Sequence, residues 1–304
     1  MLCLINPVSG NGAGREVLER LRRVQQTRIN LDLVELDRGG WPRQIQQLDH
    51  YKSVVLAGGD GTLASLLPQL VGKTVKVGLM PLGTANDLAK ECGIYRLFSA
   101  DQPQTLLDAF LFMKTKPLMV WRLSWGKNSA LFSNYASFGF EGQVVAAFDA
   151  RRNTQKKRRA AGVLLNRLNY LLAGFQSLRS GLVRCGSVAA EQRTVFSIGG
   201  SPVRSLIFSN IRSMMGLAIS NPHSNPFDSQ IEGMVVSSLA DYAVMFLRHH
   251  VPMPSGKFLG SASTWRILNL DPEVMLQLDG EAKGALGVTE VSIEAAGVIN
   301  LLVA

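Results

Sequence analysis

The chain has 304 residues, enough for two domains, and its 46% hydrophobic and 18% charged residues exclude a protein disordered over most of its length. A net charge of +9 favours anionic partners, such as nucleic acid, nucleotide phosphates or an acidic membrane, without choosing among them. No apolar run reaches the roughly 20 residues that cross a bilayer and no export signal opens the sequence, so we expect a cytoplasmic protein.

Up to Pro117, short β-branched or apolar runs alternate with helical patterns: "LCLIN" and "REVLERLRRV", "LDLVEL" and "PRQIQQL", "SVVLA" and "TLASLLPQL", "VKVGLMP" and "ANDLAKE". This alternation predicts an α/β domain over residues 1–117, with a mostly parallel sheet flanked by helices. Ligands of such sheets bind at the carboxyl ends of the strands, where the glycine-bearing turns of this chain are expected.

After Pro117 the pattern changes to short runs broken by Gly, Ser, Pro and Asn, among them "LFSNYASFGF", "SLIFSN", "GMVVSS" and "TWRILNL". These predict a mainly antiparallel second domain over residues 118–294, interrupted by helices near 160–179 and 239–249. Residues from about 295 to 304 are expected to pack back onto the first domain.

The first glycine-bearing turn, "NPVSGNGAGR", joins a predicted strand to a predicted helix and contains Asn6, Ser9 and Gly10. Backbone N–H groups in such a turn can bind anionic oxygens, and glycine allows close approach. The turn is not a Walker loop, and Arg15 stands where a dinucleotide-binding pattern needs its third glycine. By itself it could equally be an ordinary turn.

The second turn, "GGDGT", spans Gly58–Thr62. Thr62 could cap the next helix, and Gly58 and Gly59 could be needed only for positive φ. Asp60 is harder to explain in this way, because a carboxylate beside a phosphate site is repelled unless Mg²⁺ lies between them or a proton is moved.

The third turn, "PLGTANDLA", follows the same logic, since Gly83, Thr84 and Asn86 offer donors at another predicted helix start. Together the three turns predict a nucleotide-binding edge on the parallel sheet.

These motifs, in this order, resemble those of the bacterial soluble diacylglycerol kinase and lipid kinase family, relatives of sphingosine and ceramide kinases. The resemblance continues through "NYASFGFEGQVV", "SNPHSNPFDSQIEGMVVSS" and "LQLDGEAKG", and so covers nearly the whole chain. It implies a two-domain enzyme of phospholipid metabolism. Such an enzyme transfers the γ-phosphate of ATP, with Mg²⁺, to a lipid hydroxyl such as that of diacylglycerol, in the cleft between its domains.

The resemblance also assigns residues. Those expected to face the nucleotide are Asn6, Ser9, Gly10, Gly58, Gly59, Asp60, Gly61, Thr62 and Thr84. The turn Asp279–Glu281 would place a carboxylate near the attacking hydroxyl, with Glu281 as the proton acceptor, Asp279 in support, and Asp60 as the third catalytic candidate. The other interpretation of "LDGE" is a hairpin turn, for which Asp-Gly is a common sequence.

The chain departs from the family pattern at several positions. A polar contact is lost where Ala64 and Ser65 replace the family's Asn-Glu, and Asp37 and Arg122 stand where threonine and aspartate are usual. The expected magnesium loop offers Asn225, Asp228 and the Gln230 carbonyl, with one carboxylate fewer than the family, which predicts weaker Mg²⁺ binding. These departures leave open a catalytically impaired homologue that binds nucleotide or lipid, and a kinase of a soluble acceptor such as NAD is the other alternative.

The densest charge, Arg151–Arg159, precedes an amphipathic leucine-rich segment at about 160–179. This combination predicts peripheral association with an anionic membrane, although an exposed connection before a core helix would produce the same pattern. No nucleic-acid recognition motif accompanies the basic residues, so nucleic acid is not an expected partner. The oligomeric state stays open.

Overall fold

The computed structural model describes residues 1–26, 30–36, 43–154, 182–197, 201–214, 216, 218–219, 221–247 and 256–304. The strands are β1 (Leu2–Ile5), β2 (Asp32–Glu35), β3 (Ser53–Gly58), β4 (Lys76–Pro81), β5 (Lys114–Trp125), β6 (Asn128–Phe132), β7 (Tyr135–Gly139), β8 (Ser187–Ala190), β9 (Arg193–Ser197), β10 (Ser205–Ser209), β11 (Ser213–Met214), β12 (Ala218–Ile219), β13 (Ile231–Val236), β14 (Lys257–Ala262), β15 (Thr264–Leu268), β16 (Met275–Leu278), β17 (Glu281–Ala285) and β18 (Glu290–Val303). The α-helices are α1 (Ala13–Gln25), α2 (Asp60–Leu70), α3 (Asp87–Glu91), α4 (Pro103–Phe110), α5 (Phe140–Thr154) and α6 (Leu239–Leu247).

The described residues form two compact units. The first consists of Met1–Val120 with Gly297–Ala304, and the second of Trp121–Ala296. The chain passes from one unit to the other within β5 and returns within β18.

The first unit contains a parallel sheet in the order β2-β1-β3-β4, and the end of β18 pairs with β4 in parallel, with Asn300 opposite Lys76. All of β1 and five of the six residues of β3 are buried, as expected for strands covered on both faces. The predicted α/β domain with a mostly parallel sheet is therefore confirmed.

One predicted helix of this unit has a different form. The segment "PRQIQQL" lies mostly in a 3-10 helix, Arg43–His50. Ile45 and Leu48 are buried there and stand three residues apart, a spacing that puts them on the same side of a helix with three residues per turn.

The second unit contains an antiparallel sheet in the order β14-β13-β10-β7-β16-β17. The first part of β18, β15, β8 and β9 form another antiparallel group, and β5 and β6 form a hairpin. The predicted antiparallel character is thus confirmed, and α6 matches the predicted helix at 239–249. The predicted helix near 160–179 and most of the basic run lie outside the described residues.

Trp265 on β15 packs against the six-stranded sheet of the second unit. Its ring lies 5.2 Å from that of Phe208, measured between centroids, and its indole N–H donates to the Ile231 carbonyl at 2.9 Å. A Cβ on Gly233 would lie 2.6 Å from the indole ring, so glycine makes room for the tryptophan. Within the described part of the chain, no helix is both long and apolar enough to cross a membrane.

Candidate functional site

The three glycine-bearing turns follow β1, β3 and β4, which are neighbours in the parallel sheet, so the turns meet at one edge. A side-chain hydrogen bond joins the first two turns: the Asn6 amide donates to the Thr62 hydroxyl at 3.1 Å. The side-chain oxygen of Asn6 accepts the Val8 N–H at 3.2 Å within its own turn. Asn6 therefore helps to shape the edge as well as being a candidate ligand.

The second and third turns touch through their backbones. The Gly58 carbonyl accepts the Leu82 N–H at 2.8 Å, and a Cβ built on Gly83 would lie only 2.5 Å from the Gly59 Cα. Positive φ is not the reason for these glycines, since Gly59 has φ −102° and Gly58 belongs to strand β3. Gly59 is a glycine because its backbone and that of Gly83 approach more closely than a side chain permits, whereas a Cβ on Gly58 would lie 2.4 Å from the Thr62 hydroxyl oxygen.

The first and third turns also meet. Gly10 has φ +60°, and a Cβ on it would lie 2.3 Å from the Leu82 carbonyl oxygen. Both a left-handed backbone and close packing therefore require glycine at this position.

Thr62 does not cap the next helix, the alternative role considered for it. Helix α2 begins at Asp60, two residues earlier, so Thr62 is already helical and its buried hydroxyl accepts from Asn6 instead. The Ser65 hydroxyl donates to the Thr62 carbonyl at 2.8 Å, a local bond within the helix.

Asp60 has a structural role that the sequence did not reveal. Its carboxylate accepts the backbone N–H groups of Asp87 and Leu88, at 2.9 and 3.3 Å, at the start of α3. An acidic group at a helix N-terminus is favourable because those N–H groups have no partner within the helix. Asp60 thereby fixes α3 and the turn before it.

Asn86 closes the third turn. It has φ +51°, its side-chain oxygen accepts the Gly83 N–H at 2.9 Å, and its amide donates to the Gly83 carbonyl at 2.6 Å. Its side chain is buried, whereas Thr84 is exposed. Because of these bonds, Asn86 shapes the turn, and Thr84 is the more accessible of the two candidate ligands.

In the second unit, Asp279 and Gly280 form the two-residue turn of the β16–β17 hairpin. Both have positive φ, 49° and 84°, as a type I′ turn requires, and Leu278 pairs with Glu281 on either side. The hairpin interpretation of "LDGE" is thus correct, and it is compatible with a functional role.

Asp279 is only 7% exposed, and its carboxylate is surrounded by backbone donors. It accepts the N–H groups of Ser133, Asn134 and Tyr135 at 2.8, 2.8 and 3.0 Å. These three residues lie at the junction between β6 and β7, within the sequence run "LFSNYASFGF". Asp279 therefore anchors a turn that lies about 145 residues earlier in the chain, a pairing with no local sequence signal.

Glu281 differs sharply from Asp279. Its side chain is 51% exposed, and one carboxylate oxygen accepts from the Lys283 ammonium at 3.0 Å. Of the two carboxylates, only Glu281 is accessible enough to meet a substrate hydroxyl directly.

The predicted magnesium loop consists of two local turns. The side-chain oxygen of Asn225 accepts the Phe227 N–H at 3.2 Å, and that of Asp228 accepts the Gln230 N–H at 3.0 Å. No cluster of three or more His, Cys, Asp and Glu side chains suited to a metal occurs among the residues that the structure describes.

A second carboxylate, which the sequence analysis did not identify, lies close to this loop. Glu232 is 2% exposed, and its Oε2 atom has no hydrogen-bond partner within the described ranges. Burial, with a smaller contribution from the charge of Asp228, raises the pKa of Glu232 to about 7, although hydrogen bonds from Ser224 and Ser261 act in the opposite direction. A buried carboxyl oxygen without a donor, beside a second acid, fits a bound cation.

Comparisons with known proteins agree with this architecture. Residues 1–120 match the family model described as the diacylglycerol kinase catalytic domain, and residues 131–282 match the diacylglycerol kinase accessory domain. A Xanthomonas oryzae protein named "Probable lipid kinase YegS-like" is 31% identical over 189 residues, which are 58% of this chain and 55% of that protein. The curated relatives are matched over only 10% to 55% of their own length.

Two solved structures share the fold. A diacylglycerol kinase from Bacillus anthracis aligns over 100% of this chain and 96% of its own, with a TM-score of 0.65 and 14% identity. Yeast NADH kinase aligns over 100% of this chain and 83% of its own, with a TM-score of 0.53 and 11% identity.

Proposed function

The chain belongs to the diacylglycerol kinase family, and on that premise we propose that it is an ATP-dependent lipid kinase that phosphorylates a lipid hydroxyl such as that of diacylglycerol. The observation that carries this proposal is the convergence of the three glycine-bearing turns at one edge of the parallel sheet, tied together by Asn6, Thr62 and the Gly59–Gly83 contact. The lipid, the use of ATP and the roles of individual residues are parts of the proposal.

We assign nucleotide binding to the first unit. Close packing at Gly10, Gly59 and Gly83 brings the three turns together, so that their backbone N–H groups would meet triphosphate oxygens at one edge, and the exposed Thr84 hydroxyl offers a further donor. Asp60 holds α3 in place beside this edge. Its proposed charge role toward the bound nucleotide comes in addition to that structural one.

We assign proton transfer to the second unit. As the lipid oxygen bonds to the γ-phosphorus, the bond from that phosphorus to the bridging oxygen of ATP breaks and ADP departs. The hydroxyl proton passes to the Glu281 carboxylate. Exposure of Glu281 supports this role, and Asp279 supports it indirectly by anchoring the turn that carries Glu281.

Magnesium would neutralise charge on the transferred phosphates, and a second ion would stabilise the loop at residues 225–232. Asp228 and Glu232 would supply that loop's two charged ligands, with Asn225 and the Gln230 carbonyl as neutral ones. The unpartnered oxygen of Glu232 supports this ligand set.

The decisive experiment offers labelled ATP and Mg²⁺ to the purified protein with diacylglycerol in mixed micelles, other lipid alcohols, and NAD in parallel. We expect label in a lipid product. Label in NAD alone would support a kinase of a soluble acceptor, in line with the fold shared with NADH kinase. ATP binding without any product would identify a non-catalytic homologue.

A further inference from the structure

A polar chain, made of buried side chains joined by hydrogen bonds, ends at the turn that carries Glu281. Gln277, on β16 just before this turn, is fully buried. Its side-chain oxygen accepts the Gly280 N–H at 2.8 Å, and its amide nitrogen donates to the Ser137 hydroxyl at 2.9 Å. Both ends of the Gln277 amide are therefore engaged inside the protein.

The polar chain continues to Glu141. The Ser137 hydroxyl accepts from Gln277, which leaves its one hydrogen available for the Glu141 carboxyl, whose pKa the interaction with Ser137 lowers. Glu141 also receives the Tyr242 hydroxyl at 2.5 Å and the Ser205 hydroxyl. All of these side chains are buried.

The direction of these bonds fixes the orientation of Gln277. Because the backbone N–H of Gly280 can only donate, the oxygen end of the Gln277 amide must face it. The nitrogen end then faces the Ser137 hydroxyl oxygen, which accepts. The reverse orientation would bring two N–H donors together at Gly280 and leave a buried group unsatisfied.

Packing holds the far end of the polar chain against the β16–β17 hairpin. Glu141 lies in the first turn of α5, which packs on β16 and β17. A Cβ on Gly142 would lie 2.7 Å from the Met275 carbonyl oxygen, so helix and strand are in close contact. Movement of α5 away from the hairpin would therefore disturb both the packing and the polar chain.

We propose that Gln277 is a positioning residue, which holds the Asp279–Glu281 turn in one conformation and is itself oriented by Ser137 and Glu141. Its effect on catalysis rests on the proposed kinase function, because it acts through Glu281. Asp279 fixes the turn from the side of Ser133–Tyr135, and Gln277 fixes it at Gly280, so the two attachments are separate.

The test compares Gln277→Leu with Gln277→Glu and with Gln192→Leu. The first loses both amide bonds, the second keeps an oxygen for the Gly280 N–H, and the third makes the same change in an exposed turn of the same unit. Hydrogen exchange of the segment 275–285 is measured together with kcat and the KM for ATP.

In Gln277→Leu, we expect exchange of the Gly280 amide to accelerate and kcat to fall by about tenfold each, with the KM for ATP unchanged. Gln277→Glu should recover most of both losses where its buried carboxyl is protonated, because only that form donates to the Ser137 oxygen as the amide does, and Gln192→Leu should behave like the parent. Unchanged Gly280 exchange in Gln277→Leu would overturn the proposal.

Two safeguards keep this test decisive. If Gln277→Leu does not fold, Ser137→Ala interrupts the polar chain with a smaller change. Gly280 exchange equal to the parent's in that variant would contradict the proposal. If the parent protein has no kinase activity, the proposed function fails, while exchange at Gly280 still decides whether Gln277 positions the turn.

Discussion

At the scale of single residues, the acidic side chains of the candidate site have separate tasks. Asp60 and Asp279 each accept several backbone N–H groups and so fix a helix start or a turn, whereas Glu281 is exposed and pairs only with Lys283 in the bonds that the structure gives it. A substitution at each position should therefore affect stability and activity in different proportions.

Asp60→Asn should lower both the free energy of unfolding and kcat. The asparagine oxygen can accept only one of the two N–H groups of α3 while its own amide faces the other, so we expect a loss of roughly 1–3 kcal/mol in the free energy of unfolding. If the carboxylate also acts on the bound nucleotide, kcat should fall by orders of magnitude in the lipid kinase assay. Asp101→Asn, in an ion pair whose aspartate is 86% exposed, is the control for stability. Full kcat in a folded Asp60→Asn protein would leave Asp60 with the structural task alone.

Asp279→Asn and Glu281→Gln form a matched pair. We expect the first to reduce the free energy of unfolding by roughly 3 kcal/mol, since three backbone N–H groups lose a charged acceptor. Glu281→Gln should unfold like the parent, because its side chain is half exposed, but lose about 100-fold or more in kcat. Chemical denaturation and steady-state kinetics measure the two effects. A Glu281→Gln enzyme with parental kcat would contradict its role as proton acceptor.

At the scale of elements, the nucleotide edge depends on contacts between turns of neighbouring strands rather than on any one turn. β1, β3 and β4 bring the three turns together, and the absence of side chains at Gly59 and Gly83 lets two of them meet. The helices that follow, α1, α2 and α3, then all begin at this edge. The N-termini of α1 and α2 add a favourable field for phosphate to the donors of the turns, whereas the Asp60 carboxylate already occupies that of α3.

Gly83→Ala tests this packing. The added methyl group would lie 2.5 Å from the Gly59 Cα, so the turns must separate. We expect a loss of roughly 2–3 kcal/mol in the free energy of unfolding and weaker ATP binding, measured by denaturation and calorimetry. Gly72→Ala is the comparison: it has φ +75° but open space around the added Cβ, and should cost about 1 kcal/mol without affecting ATP. Equal ATP affinity in Gly83→Ala and the parent would show that the close approach is not needed for binding.

At the scale of the whole molecule, two properties belong to no single element: the way stability responds to pH, and the net charge of +9. The first depends on how deeply folding buries acidic groups such as Glu141 in the second unit. The second is spread unevenly along the sequence, with its highest density at Arg151–Arg159. Each property leads to a measurement on the intact protein.

Stability should fall as the pH rises toward neutrality. Burial raises the pKa of Glu141 to about 7 from 4.5, despite hydrogen bonds that act in the opposite direction. Because the folded state binds this proton more tightly than the unfolded state, the stabilisation is complete below pH 4.5 and is lost as the pH rises through 7, with a magnitude of the order of 3 kcal/mol. Glu141→Gln should flatten the dependence of Tm on pH over this window. If the Tm of the variant and that of the parent changed with pH in the same way, groups other than Glu141 would be responsible for the pH dependence.

Membrane association should depend on the basic run. Exchanging Arg151, Arg152, Lys156 and Lys157 for glutamine removes four charges, each contributing about 1 kcal/mol near an anionic surface. We expect much weaker binding to acidic vesicles, measured by cosedimentation, with unchanged ATP affinity. The matched control exchanges four exposed basic residues of the first unit, Arg22, Arg23, Lys52 and Lys76. Equal vesicle binding by variant and parent would remove this role from the run.

The sequence by itself determined the class of the fold and the family, because these depend on local signals. Alternating strand and helix patterns predict the parallel sheet, and motifs such as "GGDGT" and "LDGE" carry the resemblance that the family models bear out. The same patterns predicted that the glycine turns share an edge, since the carboxyl ends of parallel strands lie together.

Only the tertiary structure decided what individual residues do within that frame. The donors that surround Asp279 lie about 145 residues away along the sequence, and Asp60 caps a helix 27 residues later. The close contact between Gly59 and Gly83 requires glycine at both positions. Periodicity and turn chemistry act over a few residues, whereas hydrogen bonds of buried acids and the close approach of two backbones depend on which segments folding brings together. For that reason, the sequence could identify these residues as candidates but could not separate the groups that build the site from those available to a substrate.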